Sequence, residues 1–442
     1  MKKVYISFLL ILIIFFSACR ASEEVVNSEV HSMNSSTASI IVCRQPTEGG
    51  VVESNVHQTA ISGVNVDEEG FFVEGNNTFA FKLYQQLIKN KEGNLFYSPY
   101  GISLSLAMIN SGAHDETAKE ITDTLHFNLP QYDLHLNTSN LNTKLAGLDE
   151  DNEMNSNVEF RPNVTNTIWG QDNYTFFPEF LNLLMENYSI RLKTLDFINE
   201  GQQSRTAINK WINDQMEDRI SWSIPQTMIN QSTRLVLNNS TLLNTTWHIP
   251  FDSQSIKEGS FYLVDDVEII VEMMNQTGAY GYFEQQDYRA VELPCDDGIS
   301  IVIILPDLDQ FKHFETTLDI REAEYIIEKL RQSPVKMVMP KFKFNSEFSL
   351  RSPLVNMGML LAFSESADFS GIGNPGLYID EMQHMSFVSV SERDTTDVRK
   401  KEEPIEYDFV IGMTIDHPFI FLIRDIETGT ILFLGRVLNP LE

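Results

Sequence analysis

HMSFVSVSERDTTDVRKKEEPIEYDFVIGMTIDHPF, residues 384–419, decides how this chain is read. The apolar alternation Phe387-Val388-Ser389-Val390 gives way at Ser391 to a polar and charged run that contains Pro404, and apolar character returns at Phe409. Structureless segments beyond roughly 12–15 residues are uncommon inside compact domains and are usually either functional or disordered. Because the sequence on both sides reads as sheet core, the ends of this segment are held while its middle projects, a geometry suited to presenting bait to another protein.

The 442 residues are 42% hydrophobic and 21% charged, enough for two or three ordinary domains or for one large domain with a tail. The 32 basic and 62 acidic residues leave a net charge of −30, a field that repels nucleic acid and anionic membrane. No nucleic-acid partner is expected.

At the amino terminus Lys2 and Lys3 precede an apolar run from Val4 to Phe16 and the small residues Ser17, Ala18 and Cys19. This is the pattern of an export signal over residues 1–21, shorter than the ~20 apolar residues that span a bilayer. The mature protein is expected to be extracellular, or anchored to the outer face of the cytoplasmic membrane if Phe16-Ser17-Ala18-Cys19 is a lipobox and Cys19 becomes lipid-modified. Any contact with the membrane would then run through that anchor alone. Residues 22–72, rich in Ser, Asn, Val and Glu, read as a solvated tether, and residues 73–442 as the folded domain. Sequons at Asn34, Asn76, Asn137, Asn163, Asn173, Asn187, Asn230, Asn244 and Asn275 suit an exported glycoprotein. Beyond the signal only Cys43 and Cys295 remain, which excludes a disulfide framework and leaves either one bridge or two thiols.

Within the domain, Asn77 can cap a helix with Ala80, Leu83, Tyr84 and Leu87 on one face. Ser98-Pro99 sets a capping hydroxyl before a proline at the first helical position, and the run that follows is apolar or small on every side, as a central helix would be. Further helices open at Asp115, Pro178 and Ser204. From Leu235 the period changes, with strand runs at 235–237, 267–271, 299–303 and 335–338, and a hairpin in which Glu427-Thr428-Gly429 joins 419–423 to 431–434. Helices first and strands later argue for an α+β domain.

No G-x-S-x-G, H-E-x-x-H, phosphate loop or clustered C-x-x-C occurs, so neither enzyme activity, nor a cofactor, nor a metal is expected. The acidic run 149–153 lacks the glycine of a calcium loop and reads as a solvated surface, while His384 and His417 read as hydrogen-bonded core histidines.

Several separated blocks then line up in order: Asn94-Leu95-Phe96-Tyr97-Ser98-Pro99, Leu235 to Asn239 with Trp247, Pro250 and Phe251, Met339-Pro340-Lys341-Phe342, Ala367-Asp368-Phe369-Ser370-Gly371, His384, and His417-Pro418-Phe419 through Pro440. Together they resemble the serpin family, in an exported member of prokaryotic type. The resemblance implies a serpin fold with three β-sheets, about nine helices and an exposed reactive-centre loop, in a protein that acts as a monomer. It implies a serine-type endopeptidase inhibitor that traps its target as a suicide substrate: the protease is acylated on the loop, which then inserts into the main sheet. It also places Ser98, Asn239 and His384 where that sheet parts, Trp247 and Lys341 where the loop first enters, and the hinge at Glu392, Arg393, Asp394, Thr395, Thr396 and Asp397. Counting back from Pro418 puts the attacked bond at Tyr407-Asp408. A tyrosine there favours a chymotrypsin-like serine protease, with a cysteine protease as the other target class.

Inhibitory members carry small residues after the hinge, whereas this chain has Asp397, Val398, Arg399, Lys400 and Lys401. A strand entering a sheet sends alternate side chains into the core, so one register buries Asp397, Arg399 and Lys401 and the other Thr396, Val398, Lys400 and Glu402. Burying three ions costs on the order of 10 kcal/mol. The alternative is therefore a non-inhibitory serpin: a protease substrate, a carrier or a surface-interaction protein.

Overall fold

The computed structural model describes residues 50–51, 66–145, 163–215, 223–225, 228–244, 247–295, 298–392 and 408–442. Helices dominate the first half, in the order the sequence leads one to expect. β1 (Gly50–Val51), α1 (Val66–Leu87), β2 (Leu95–Tyr97), α2 (Pro99–Asn110), α3 (Asp115–Leu125) and α4 (Gln131–Leu145) come first. β3 (Asn163–Gln171), α5 (Pro178–Tyr188), β4 (Lys193–Leu195), α6 (Gly201–Gln215) and β5 (Leu235–Asn244) follow. Strands dominate after that: β6 (Lys257–Tyr262), β7 (Glu268–Glu284), β8 (Tyr288–Pro294) and β9 (Ile299–Pro306), interrupted by α7 (Phe311–Thr317) and α8 (Ile320–Lys329). The chain ends with β10 (Arg331–Pro340), β11 (Phe342–Ser349), α9 (Arg351–Asn356), β12 (Glu381–Val390), β13 (Ile411–Thr414), β14 (Phe419–Asp425) and β15 (Ile431–Val437).

The main sheet runs β1-β4-β3-β5-β12-β11, and the second runs β13-β10-β7-β8-β9-β14-β15-β2, with β6 paired to β7. β7 pairs with β6 over 268–273, with β10 over 273–282 and with β8 over 281–284, so the third sheet that the resemblance implies is continuous with the second through this one strand. Between the sheets lies α2, buried at every position, its amino end capped by the Ser98 hydroxyl, which accepts from the Gly101 N–H at 2.9 Å. The face of the main sheet that carries Leu235 and Leu237 packs toward α2 and the second sheet, while Val236, Trp169, Met385 and Phe387 on its other face pack with Ile208 and Ile212 of α6.

Three local expectations are corrected. The folded domain begins before residue 73, because α1 starts at Val66 and Phe72 is fully buried, stacked on Phe127 at 4.6 Å. Asn77 is therefore inside the helix and caps nothing at its start; it accepts from the Ile431 N–H and donates to the Gly429 carbonyl, tying α1 to the last hairpin. Likewise α6 starts at Gly201, and the Ser204 hydroxyl donates to the Asp196 carbonyl. Of the sequons, Asn76 and Asn137 are fully buried and hydrogen-bonded, to Ile431 and Asp133, which leaves no room for a glycan in the folded chain. Asn173 and Asn230 are exposed.

Candidate functional site

The main sheet is closed along its centre. β5 and β12 pair directly and in parallel, from Val236 opposite Glu381 to Asn244 opposite Ser389, with no strand between them. β12 stops at Val390, and the chain returns as β13 at the edge of the second sheet, paired with β10.

Three predicted residues meet in this seam. His384 is fully buried; its Nε2 accepts from the Ser98 backbone N–H at 3.2 Å, and its Nδ1 lies 2.7 Å from Asn239 Oδ1. A backbone amide can only donate, so Nε2 is the unprotonated nitrogen and Nδ1–H donates to Asn239. Burial pulls the imidazole pKa down to about 3, which keeps the ring neutral. The Asn239 amide in turn donates to Asn166 Oδ1 at 2.6 Å, which also accepts from the Ser105 hydroxyl at 2.5 Å. Ser98 completes the tie by donating to the Leu432 carbonyl at 2.8 Å. One chain of hydrogen bonds thus joins β3, β5, β12, α2 and β15 through the seam. Ser105 and Asn166 escaped the sequence reading: one lies in an apolar helix and the other in a strand whose alternation is broken by polar residues.

A second cluster stands at the upper end of the seam. Lys341 Nζ lies 2.9 Å from Glu392 and 3.4 Å from Glu272, and the Trp247 indole N–H donates to the Ser391 carbonyl at 2.8 Å. Burial works against the Lys341 ammonium, but its hydrogen bonds and charge pairing with Glu392 and Glu272 outweigh that and hold its pKa above the ordinary value. Burial also pushes the Glu392 carboxyl up, and Lys341 more than reverses the shift. Glu272 is the member the sequence did not flag.

Of the remaining predicted residues, Asp408 is described and exposed, and Phe409 beside it is 73% exposed. Cys19, Arg393, Asp394, Thr395, Thr396, Asp397 and Tyr407 lie outside the described residues, as do Cys43 and the acidic run 149–153. His417 hydrogen-bonds to Asp416 and the Pro306 carbonyl, and Cys295 is a buried thiol. Among the described residues no group of three His, Cys, Asp or Glu is placed to hold a metal, and no helix is long and apolar enough to cross a membrane.

A main sheet closed along β5 and β12, with β12 ending at Val390 and the chain resuming as β13 on the second sheet, defines a class of protein, and comparison with known proteins identifies that class. Residues 74–440 match the family model for serpins, serine protease inhibitors. A serpin-like protein of Thermococcus kodakarensis is 34% identical over 83% of this chain and 85% of its own length. The leukocyte elastase inhibitor of Xenopus laevis is 32% identical over 82% of this chain and 97% of its own length. Among solved structures, human thyroxine-binding globulin superposes with a TM-score of 0.76 at 25% identity, over 85% of this chain and all of that one. The chain belongs to the serpin family.

Proposed function

We propose that the chain inhibits a serine protease by offering the segment between Glu392 and Ile411 as bait. One observation supports this above the others: β5 and β12 are zipped together, while both ends of the bait are fastened, Glu392 to Lys341 at the top of the seam and Ile411 in β13 on β10. A protease that acylates itself on an external segment so held would free the upstream half to enter the seam as a new strand. Tyr407-Asp408 is the attacked bond, Ser98, Asn239 and His384 the contacts that must yield, and Lys341 and Trp247 the groups the entering strand passes first. Tyr407 directs the choice toward a chymotrypsin-like serine protease, with cysteine proteases second. The protein acts outside the cytoplasm as a monomer, with Cys19 as its lipid anchor or lost with the signal. Mixing it with chymotrypsin is the test: a covalent complex that survives denaturation is expected, and loop cleavage with no complex at any ratio would sink the proposal.

The charged residues after the hinge favour a second reading, a serpin that no longer traps and serves as a substrate, carrier or surface-interaction protein. Cleaving the loop separates the two. A trap gains tens of degrees in melting temperature as the strand enters, and a dead hinge gains nothing.

A further inference from the structure

The middle of the seam is polar on both faces. Four successive rows cross it, Asn238 opposite Gln383, Asn239 opposite His384, Ser240 opposite Met385 and Thr241 opposite Ser386. All eight residues are buried, and Met385 alone is apolar. The rows that follow are apolar: Leu237 faces Met382 below, and Leu242 and Leu243 face Phe387 and Val388 above. Parallel strands covered on both faces ordinarily read as near-continuous hydrophobic runs, so this polar waist needs a reason.

Stability of the closed sheet does not supply one. Asn238 donates to the Ser240 hydroxyl at 2.8 Å, but its Oδ1 has no partner, and neither has the hydroxyl of Thr167, which stands opposite Asn238 on β3. A buried acceptor left unpaired destabilises the fold that contains it.

We propose that the waist is built to receive this chain's own charged stretch, Arg399-Lys400-Lys401-Glu402, when the cleaved bait enters between β5 and β12. This rests on the inhibitor function proposed above. The segment enters from the end where Glu392 is held and so runs antiparallel to β12. With the turn centred between Glu392 and Arg393, Thr395 stands opposite Val390. Counting on, Val398 meets Phe387, Arg399 meets Ser386, Lys400 meets Met385, Lys401 meets His384 and Glu402 meets Gln383. Val398 lands on an apolar row, the four charges of residues 399–402 land in the waist, and Asp397, opposite Val388, falls one row outside it. Directly opposite residues share a face, so Arg399 and Lys401 point to the α2 side among Thr241, Ser386 and Asn239, which offer oxygens. Lys400 and Glu402 point to the α6 side beside Asn238 and Gln383, whose amides offer both donors and acceptors. A shift of one residue in either direction still leaves Lys400 and Lys401 in polar rows. All but Asp397 of the charged side chains that make the loop look unfit for insertion are matched by the place they would occupy.

Thermal melting before and after loop cleavage tests this in four proteins: the natural chain, Asn238→Val with Thr241→Val, the loop variant Arg399→Ala, Lys400→Ala, Lys401→Ala and Glu402→Ala, and the two sets combined. The natural chain is expected to gain tens of degrees on cleavage, the seam variant less than half as much, and the combined variant the full gain again, which also shows that the altered seam folds. An equal gain in the natural chain and the seam variant, or no gain in the natural chain, would overturn the proposal. The measurement needs no target protease, so a full gain without any trapped enzyme would defeat the inhibitor function alone.

Discussion

The seam of the main sheet and the core of the second sheet are both buried on two faces, yet they are made of opposite materials. In β9, β14 and β15 the buried runs are Ile301–Leu305, Phe419–Ile423 and Ile431–Leu434, with Phe96 stacked on Phe433 at 5.0 Å and on Phe421 at 5.7 Å. Gly435 lets β15 approach so closely that a side chain there would meet the Leu95 carbonyl at 2.5 Å. In the seam, side-chain hydrogen bonds take the place of this interlocking. Dispersion contacts are lost gradually and cannot be exchanged for water, whereas hydrogen bonds can be handed from one partner to another. An apolar sheet is suited to staying shut, and a polar one to changing neighbours.

The largest expected effect tests that contrast directly. Phe421→Ala should lower the unfolding free energy by about 3–5 kcal/mol, since the tightly packed core cannot collapse into the hole. Asn238→Val removes an unpaired buried acceptor at similar volume and should change stability by no more than about 1 kcal/mol, upward rather than downward. Urea unfolding of both variants checks this; comparable losses would mean that the seam is packed like the core.

A smaller effect concerns acid. Burial holds His384 at about 3 and His135 at about 4, against 6.5 for a free imidazole. The unfolded chain takes up these protons from about pH 6.5 downward while the folded chain refuses them, so their contribution is whole above that pH and is lost as pH falls toward 3. Between pH 6.5 and 4 the natural protein should lose on the order of a few kcal/mol more than His384→Gln does. Parallel stability–pH curves for the two proteins would show that the His384 ring is not the neutral donor the geometry demands.

The same contrast explains what could be read from the sequence. The second-sheet core announced itself, because Phe419–Ile423 and Ile431–Leu434 are apolar runs on either side of a turn with Gly429 at φ +75°. Ser98-Pro99 was equally legible, since a cap is a local signal. The strand at Leu235 reads as ending at residue 237, although β5 continues through Asn238, Asn239, Ser240 and Thr241 to Asn244. Those four residues argue against a buried strand by composition, and only their partners on β12 and β3 keep them in the sheet. The start of β12 at Glu381 was hidden for the same reason by Gln383 and His384. Ser98, Asn239 and His384 could be grouped by family resemblance, but nothing in their spacing says that they touch. Asn77 misled in the opposite direction: it looks like a helix cap, and its true partners, Gly429 and Ile431, are about as far away in sequence as the domain allows.

The smallest expected effect lies where the seam meets solvent. Lys341 and Glu392 are 22% and 24% exposed, so water and salt screen their contact, and Glu392→Gln should cost no more than about 1 kcal/mol in unfolding free energy. Its consequence for the loop should be larger than for the fold. Glu392 immediately precedes the proposed bait, and Lys341 holds it beside the end of β12 where, on the proposed function, the cleaved segment enters between β5 and β12. With that tie removed, insertion after cleavage should slow measurably while the final melting temperature of the cleaved form stays the same. Following the two by stopped-flow fluorescence and by thermal scan distinguishes a guide from a brace: an unchanged insertion rate together with a lowered melting temperature would mean that the ion pair merely supports the sheet.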